Sequence, residues 1–448
     1  MEHPLIKRVQ KVNNILFILW GGGSVLFVYF LVYMLRKAFT AATFEGYELW
    51  GMDFKIIISI SQILGYLLAK FYGVKIISEL KRNNRLPAII LSAAGAEFSL
   101  ILFGLIPFPY NFFCLFLNGL SLGCMWGFLF AYIEGRRFTD ILASLLGISI
   151  VISSGAAKSF GLFLLDLEVN PFWMPALIGG IALPLLTVIA FLLNRLPEPT
   201  SQDKHERSER VPLSGKQRIA LFKKYAPLLI PLLTVNILYT VLRDIKEDFL
   251  VNIVNHTSIN LTPFLFVRID SVVAILLLLI LGAMIKVNNN EKAMFILLSI
   301  MMTGSLLILL TSVFFNSLME MPIVWLFLQS MGIYSAYLAF QTIFFDRFIA
   351  NFQIFGNVGF FIYLADFLGY LASCIFLFVK SFLPFEINWL DYYNLLAISI
   401  SIISVLAISI SYCVMRGMNK KNEIIINKKY IEYEKSRMYY YGLGRNVD

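Results

Sequence analysis

The sequence predicts an all-α integral membrane protein, with twelve transmembrane helices arranged as two pseudo-symmetric six-helix bundles. Three observations predict it. Of the 448 residues, 59% are hydrophobic and only 15% are charged, against roughly 25% charged in soluble chains, and mean hydropathy is +0.77. Apolar runs of about 18 residues or more recur along the whole chain, each long enough to cross ~30 Å of hydrocarbon. The longest polar stretch, from Pro197 to Lys224, falls near the middle. Such a chain is not a soluble domain, a disordered segment, a collagen or a disulfide scaffold.

The first apolar run, Asn14 to Phe44, follows Lys7, Arg8 and Lys11. It is too long for a cleavable leader and no small-residue cleavage site follows it, so it is span 1. Phe54 to Ile77, Leu86 to Ile106, Phe108 to Ile133, Ile141 to Leu165 and Phe172 to Leu196 are spans 2 to 6. Ala226 to Val251, Pro263 to Val287, Ala293 to Phe315, Pro322 to Phe345, Phe355 to Val379 and Trp389 to Met415 are spans 7 to 12. The expected organisation is an N-terminal bundle (1–196), a linker (197–225), a C-terminal bundle (226–416) and a basic tail (417–448). The N-terminal segment, the even-numbered loops and the tail hold about 28 of the 37 Lys and Arg residues. By the positive-inside rule both termini are cytoplasmic. The Lys-rich tail is also suited to anionic lipid. The Ile-, Asn- and Lys-rich composition points to an AT-rich bacterial genome and hence a bacterial inner membrane, with a monomer as the default state.

The net charge of +9 does not imply nucleic acid, because the basic residues are spread over loops and tails. Cys114, Cys124, Cys374 and Cys413 lie in apolar runs, where cysteine acts as a small hydrophobe. His3, His205 and His256 show no metal-ligand spacing, and there is no phosphate-cradling Gly-Lys-Ser/Thr loop. Neither a metal, a cofactor nor an enzyme is expected. Gly119, Gly123 and Gly127 in span 4 suit close helix approach, and Pro175, Pro184, Pro227 and Pro231 mark candidate kinks.

An ionisable side chain inside a span costs roughly 2.5–3.5 kcal/mol on insertion scales, so it faces protein or water and is a functional candidate. The basic ones are Arg36, Lys37, Lys70, Lys158 and Arg243; the acidic ones are Glu97, Asp244, Asp248, Asp270 and Asp366. Arg268, near a helix end, can snorkel. Guanidiniums from matching helices of the two halves, Arg36 in span 1 and Arg243 in span 7, can converge at the midplane and bind phosphate or carboxylate in pairs of hydrogen bonds. The expected substrate is therefore a small organic anion, with Lys37, Lys70 and Lys158 assisting. The alternative for each is an internal ion pair: Lys158 with Asp270, Lys70 with Asp366, Arg243 with Asp244 or Asp248. Asp366, Asp270 and Glu97 are the candidates for coupling or ion pairing. A free Asp366 can carry a proton and drive symport, whereas pairing to Lys70 favours exchange.

Six plus six helices about a central loop is similar to the major facilitator arrangement, in which two halves rock about a midplane site. Tyr33-Met-Leu-Arg36-Lys37-Ala-Phe39, then Gly65-Tyr-Leu-Leu-Ala-Lys70-Phe71, Gly73, Ser78-Glu79, Arg82 and Arg85 resemble the organophosphate:phosphate antiporter family. That resemblance implies that Arg36 and Arg243 bind a substrate phosphate, accompanied by Lys37 and Lys70. The chain departs from the family in span 5, where Ser153, Ser154 and Lys158 stand in the region of its histidine. The segment Gly356 to Tyr370, with Asp346-Arg347 before it, resembles an uncharacterised bacterial group of major-facilitator-like proteins. Leu242-Arg243-Asp244-Ile-Lys246-Glu-Asp248 resembles nucleotide translocases. The function expected is secondary active transport by alternating access. An anion sensor without flux, a nucleotide translocase and a membrane enzyme for lipid-linked substrates are the competing readings.

Overall fold

The computed structural model describes residues 4–133, 136, 138–198, 215–352, 354, 359–382 and 388–443. Among them, twelve helices are long and apolar enough to cross a membrane. Spans 1 to 6 are Asn14–Ala41, Phe54–Gly73, Arg82–Leu105, Phe112–Ile133, Ile141–Asp166 and Met174–Asn194. Spans 7 to 12 are Ile219–Val254, Leu265–Lys286, Asn290–Val313, Pro322–Phe352, Leu364–Phe382 and Trp389–Asn419. Helices are the expected solution because every backbone N–H and C=O is satisfied within its own segment, where lipid offers no partner.

The packing repeats with a shift of six. Span 1 packs on 5 and 6, 2 on 4, and 3 on 4 and 6; correspondingly, span 7 packs on 11 and 12, 8 on 10, and 9 on 10 and 12. The two halves meet chiefly along spans 5 and 8 and spans 2 and 11. Span 5 is the inner helix, with 83% of its most apolar window buried, whereas spans 3 and 6 have 39% and turn large apolar side chains to the lipid. Two faces result. One holds the start of span 1 and the end of span 12. The other, here the hairpin face, holds a short antiparallel pairing of Glu48–Leu49 with Met52–Asp53.

Several expectations need adjusting. The helix of span 7 starts at Gly215, well before Ala226, so part of the expected linker is helical; the rest, 199–214, lies outside the described residues. The helix of span 12 continues through Leu443 into the expected tail. Pro175 is in the first turn of span 6, where no backbone bond is lost, so it makes no kink. The interruption of span 7 is not at Pro227 or Pro231 but at Phe249, with φ −114° and ψ 16°. Its ring stacks 3.8 Å from that of Trp389 at the start of span 12. Span 10 contains a π-helical segment, Ala339–Phe344, the kind of local widening that accompanies functional sites.

Glycines set the closeness of spans 2 and 4. A Cβ on Gly119 would fall on the carbonyl of Gln62, and one on Gly65 on that of Phe116. Gly119→Ala is expected to lower stability by about 1–3 kcal/mol through overpacking, read as a lower melting temperature in detergent. Gly23→Ala, where a Cβ would meet nothing within 4 Å, should leave the melt unchanged.

Candidate functional site

A small cavity of about 10 Å³ lies between the halves, the room of a single water. Its walls come from both halves: Tyr29 and Tyr33 of span 1, Tyr66 and Lys70 of span 2, Trp126 and Ile150 of spans 4 and 5, Arg243 of span 7, Tyr337 and Gln341 of span 10, and Asp366 and Tyr370 of span 11. Helical spacing puts them there. Tyr29, Tyr33 and Arg36 share one face of span 1, Tyr66 and Lys70 one face of span 2, and Asp366 and Tyr370 one face of span 11.

Arg36 is buried, at 3% exposure. Its guanidinium lies 4.2 Å from the centre of the Tyr66 ring and 5.6 Å from those of Tyr33 and Tyr370. Among the described residues it makes no ion pair, and its Nε has no hydrogen-bond partner. The turn that carries it is tied down from neighbouring spans. Gln62 donates to the Arg36 carbonyl at 2.7 Å and to Asn118 Oδ1 at 2.8 Å, while Asn118 donates to the Leu35 carbonyl at 3.1 Å and to that of Ala96 at 3.2 Å.

Arg243 is held differently. It donates to Asp244 Oδ1 from Nη2 at 2.7 Å and from Nε at 3.2 Å, lies 3.9 Å from Glu247, and donates to the Tyr370 hydroxyl at 3.4 Å. Its guanidinium covers the Tyr337 ring at 4.3 Å. Ser373 donates to the other oxygen of Asp244 at 2.8 Å. Lys70 pairs across the halves with Asp366, which also accepts from Gln341 of the π segment. The ring of Tyr370 is common to all three cations: Arg36 at 5.6 Å, Lys70 at 5.1 Å and Arg243 at 5.7 Å from its centre.

A second polar layer lies toward the hairpin face. Lys37 pairs with Asp248 across the halves. Glu247 accepts from the hydroxyls of Tyr33 at 3.4 Å and Tyr334 at 2.9 Å. Lys246 donates to Ser330 and lies 3.8 Å from Asp270. Lys55 donates to the Thr40 carbonyl at 2.9 Å and to Asn252 Oδ1 at 2.7 Å.

Of the residues singled out from sequence, Lys70, Arg243 and Asp366 line the cavity, and Arg36 lies beside it against the rings of Tyr33, Tyr66 and Tyr370. Lys37 is near but engaged by Asp248. Lys158 does not line the cavity and does not pair with Asp270. Its ammonium donates to the carbonyl and hydroxyl of Ser154, at 3.2 and 3.0 Å. Asp270 packs against Gly155, where a Cβ would come within 2.6 Å of its carboxylate, and Lys246 of span 7 takes the ion-pair position. Glu97 lies apart within the N-terminal half, packed against Gly179, with its Oε2 unpartnered. Sequence reading passed over Lys55, Lys246, Glu247 and the ring of tyrosines. Signals for some of them were present: the charged run from Arg243 to Asp248 in an apolar helix, Tyr33 three residues from Arg36, Tyr66 four from Lys70 and Tyr370 four from Asp366. Within the spans, seven basic side chains are buried: Arg36, Lys37, Lys55, Lys70, Lys158, Arg243 and Lys246. Among the described residues, six carboxylates are buried within the spans as well: Asp244, Glu247, Asp248, Asp270 and Asp366 near the interface between the halves, and Glu97 apart from it.

Residues 38–417 match the family of unknown function DUF5690. No curated protein matches the chain in sequence. Among solved structures, the chain is similar to the human organic anion transporter MFSD10 (TETRAN), at 14% identity and a TM-score of 0.52 over 88% of this chain and 98% of that one. It is similar to a D-xylose-proton symporter at 12% identity and a TM-score of 0.56, over 87% and 96% of the two chains. A third likeness is to the peptide transporter POT in complex with sulfate, at 13% identity and a TM-score of 0.57, over 88% and 95%. At these identities the likeness speaks for the fold, which is the twelve-helix major facilitator arrangement.

Proposed function

The chain belongs to the DUF5690 family of unknown function, and for it we propose secondary active transport of a small organic anion, phosphorylated or carboxylated, by alternating access. One observation carries the reading: three cations from spans 1, 2 and 7 surround the ring of Tyr370, and one of them, Arg36, is buried with no carboxylate partner among the described residues. A buried guanidinium without a counter-ion is costly, and a bound anion supplies what is missing. Because Arg36 belongs to one half and Arg243 to the other, an anion between them is touched by both bodies that must rock. The organic anion transporter and the sulfate-bound peptide transporter among the similar structures are in keeping with this. The organophosphate resemblance of spans 1, 2 and 7 favours a phosphate group. The Lys70–Asp366 pair favours exchange over proton symport. In this reading the two bundles are 1–196 and 226–416, both termini face the cytoplasm, and the protein works as a monomer in a bacterial inner membrane.

The test is thermal stabilisation of the detergent-purified protein by phosphorylated and carboxylated metabolites, followed by flux in liposomes. An anion at about 100 times its Kd should add roughly 2.7 kcal/mol. Uptake that requires an internal counter-anion and ignores a proton gradient supports exchange; binding without any flux leaves a sensor. If neutral or cationic compounds stabilise the protein and anions do not, the anion reading falls.

A further inference from the structure

The cavity lined by Lys70 and Arg243 has room for one water only, and both of those cations are already satisfied by carboxylates of the chain itself. Asp366 is the notable one. It comes from span 11 and reaches across the interface to Lys70 of span 2, while Gln341 donates to its second oxygen. It lines the same cavity as Lys70, Arg243 and Tyr370. A carboxylate in that place has the headgroup chemistry of the proposed substrate and the same partner. We infer that Asp366 is a built-in competitor for the substrate anion: it occupies Lys70 when the site is empty and is displaced when an anion binds. The inference rests on the anion reading above and deepens it.

The position of the pair gives the exchange a second effect. Lys70 is near the end of span 2 remote from the hairpin face, and spans 2 and 11 form one of the main contacts between the halves. Lys37 and Asp248 join the halves on the hairpin side of the cavity. The empty protein is therefore tied on both sides of its site, and displacement of Asp366 by an anion releases one tie. Only the loaded protein then changes face freely, which is the condition for obligate exchange.

Asp366→Asn removes the competing charge and keeps an acceptor for Gln341. With inorganic phosphate and acetate as bare headgroups, the variant is expected to bind at least tenfold more tightly than the wild type, measured by thermal shift or calorimetry. Reconstituted in liposomes, it should also lose the requirement for a counter-anion. The double variant Lys70→Gln/Asp366→Asn should bind no more tightly than the wild type. Affinity in Asp366→Asn that is unchanged or weaker overturns the inference. If the single variant unfolds on extraction, recovery of folded protein when phosphate is present throughout purification supports it, and no recovery overturns it. A wild type that binds anions with an Asp366→Asn variant that binds no better sinks this inference alone. Failure of both to bind sinks the anion reading itself.

Discussion

Arg36→Ala is expected to abolish the anion-induced rise in melting temperature while leaving the unliganded protein nearly as stable as the wild type. Arg36 has no carboxylate partner among the described residues, so its removal orphans no buried charge. What is lost is its stacking on Tyr66, Tyr33 and Tyr370, on the order of 0.5–2 kcal/mol for a desolvated cation over a ring. Desolvation of the guanidinium, now no longer required, offsets part of that. A charge-assisted hydrogen bond to a ligand is worth about 1.5–3 kcal/mol, so the Kd should rise by roughly ten- to a hundredfold. Arg36→Met, which keeps the aliphatic stem, separates loss of charge from loss of packing: both variants should lose ligand response alike. If either retains the full response, Arg36 is not the anion anchor.

The matching substitution in the other half should behave in the opposite way. Arg243→Ala is expected to destabilise the protein itself, by about 3–5 kcal/mol, the cost of leaving a buried partner charge uncompensated. Asp244 and Arg243 are each about 1% exposed, and among the described residues Ser373 alone would remain to donate to the carboxylate. Glu247, 3.9 Å from the guanidinium, would lose a neighbouring cation as well. Arg243→Met/Asp244→Leu, which removes both charges and fills the volume, should recover most of the loss, since a buried pair is often replaceable by apolar residues of similar size. Unfolding in detergent by heat or denaturant checks both variants. Should Arg243→Ala melt like the wild type while Arg36→Ala collapses, the division between a paired arginine and a free one is reversed.

That division was legible only in part: the sequence offered Arg243 an ion pair with Asp244 or Asp248 and named no partner for Arg36. The fold followed from run length and hydropathy, because a bilayer leaves few ways to satisfy a backbone. The buried charges announced themselves for the same reason: an arginine inside an apolar run and away from its ends must face protein or water. Resemblance made Arg36 and Arg243 equivalent anchors. The structure makes them unequal, because the neighbour of Arg243 in the chain, Asp244, also satisfies it in space, and Arg36 is followed by a lysine instead. Partner choice across helices was harder. Lys70 and Asp366 do meet, but Asp270 pairs with Lys246, whose reach from span 7 no linear pattern reveals. The tyrosines were harder to read as a group, because Tyr33, Tyr66, Tyr337 and Tyr370 stand on four different helices and only the cations they face unite them. Boundaries erred where a helix leaves the hydrocarbon, as at Gly215, since hydropathy marks the membrane and not the end of the hydrogen-bond ladder.

The break at Phe249 divides span 7 into two lengths of backbone that need not open together. The segment that bears Arg243, Asp244 and Glu247 is braced by side-chain bonds on both sides, whereas the last turn, from Leu250 to Val254, is joined to it through a residue outside helical geometry and is tied to span 2 through the bond from Lys55 to Asn252. Amide hydrogen exchange followed by mass spectrometry should therefore divide this one span into a slow body and a faster cap. Tryptophan emission offers a second view of the same joint, because Trp389 is stacked on Phe249. Any swing of the cap changes the surroundings of that indole, and a labelled substrate is not needed to see it.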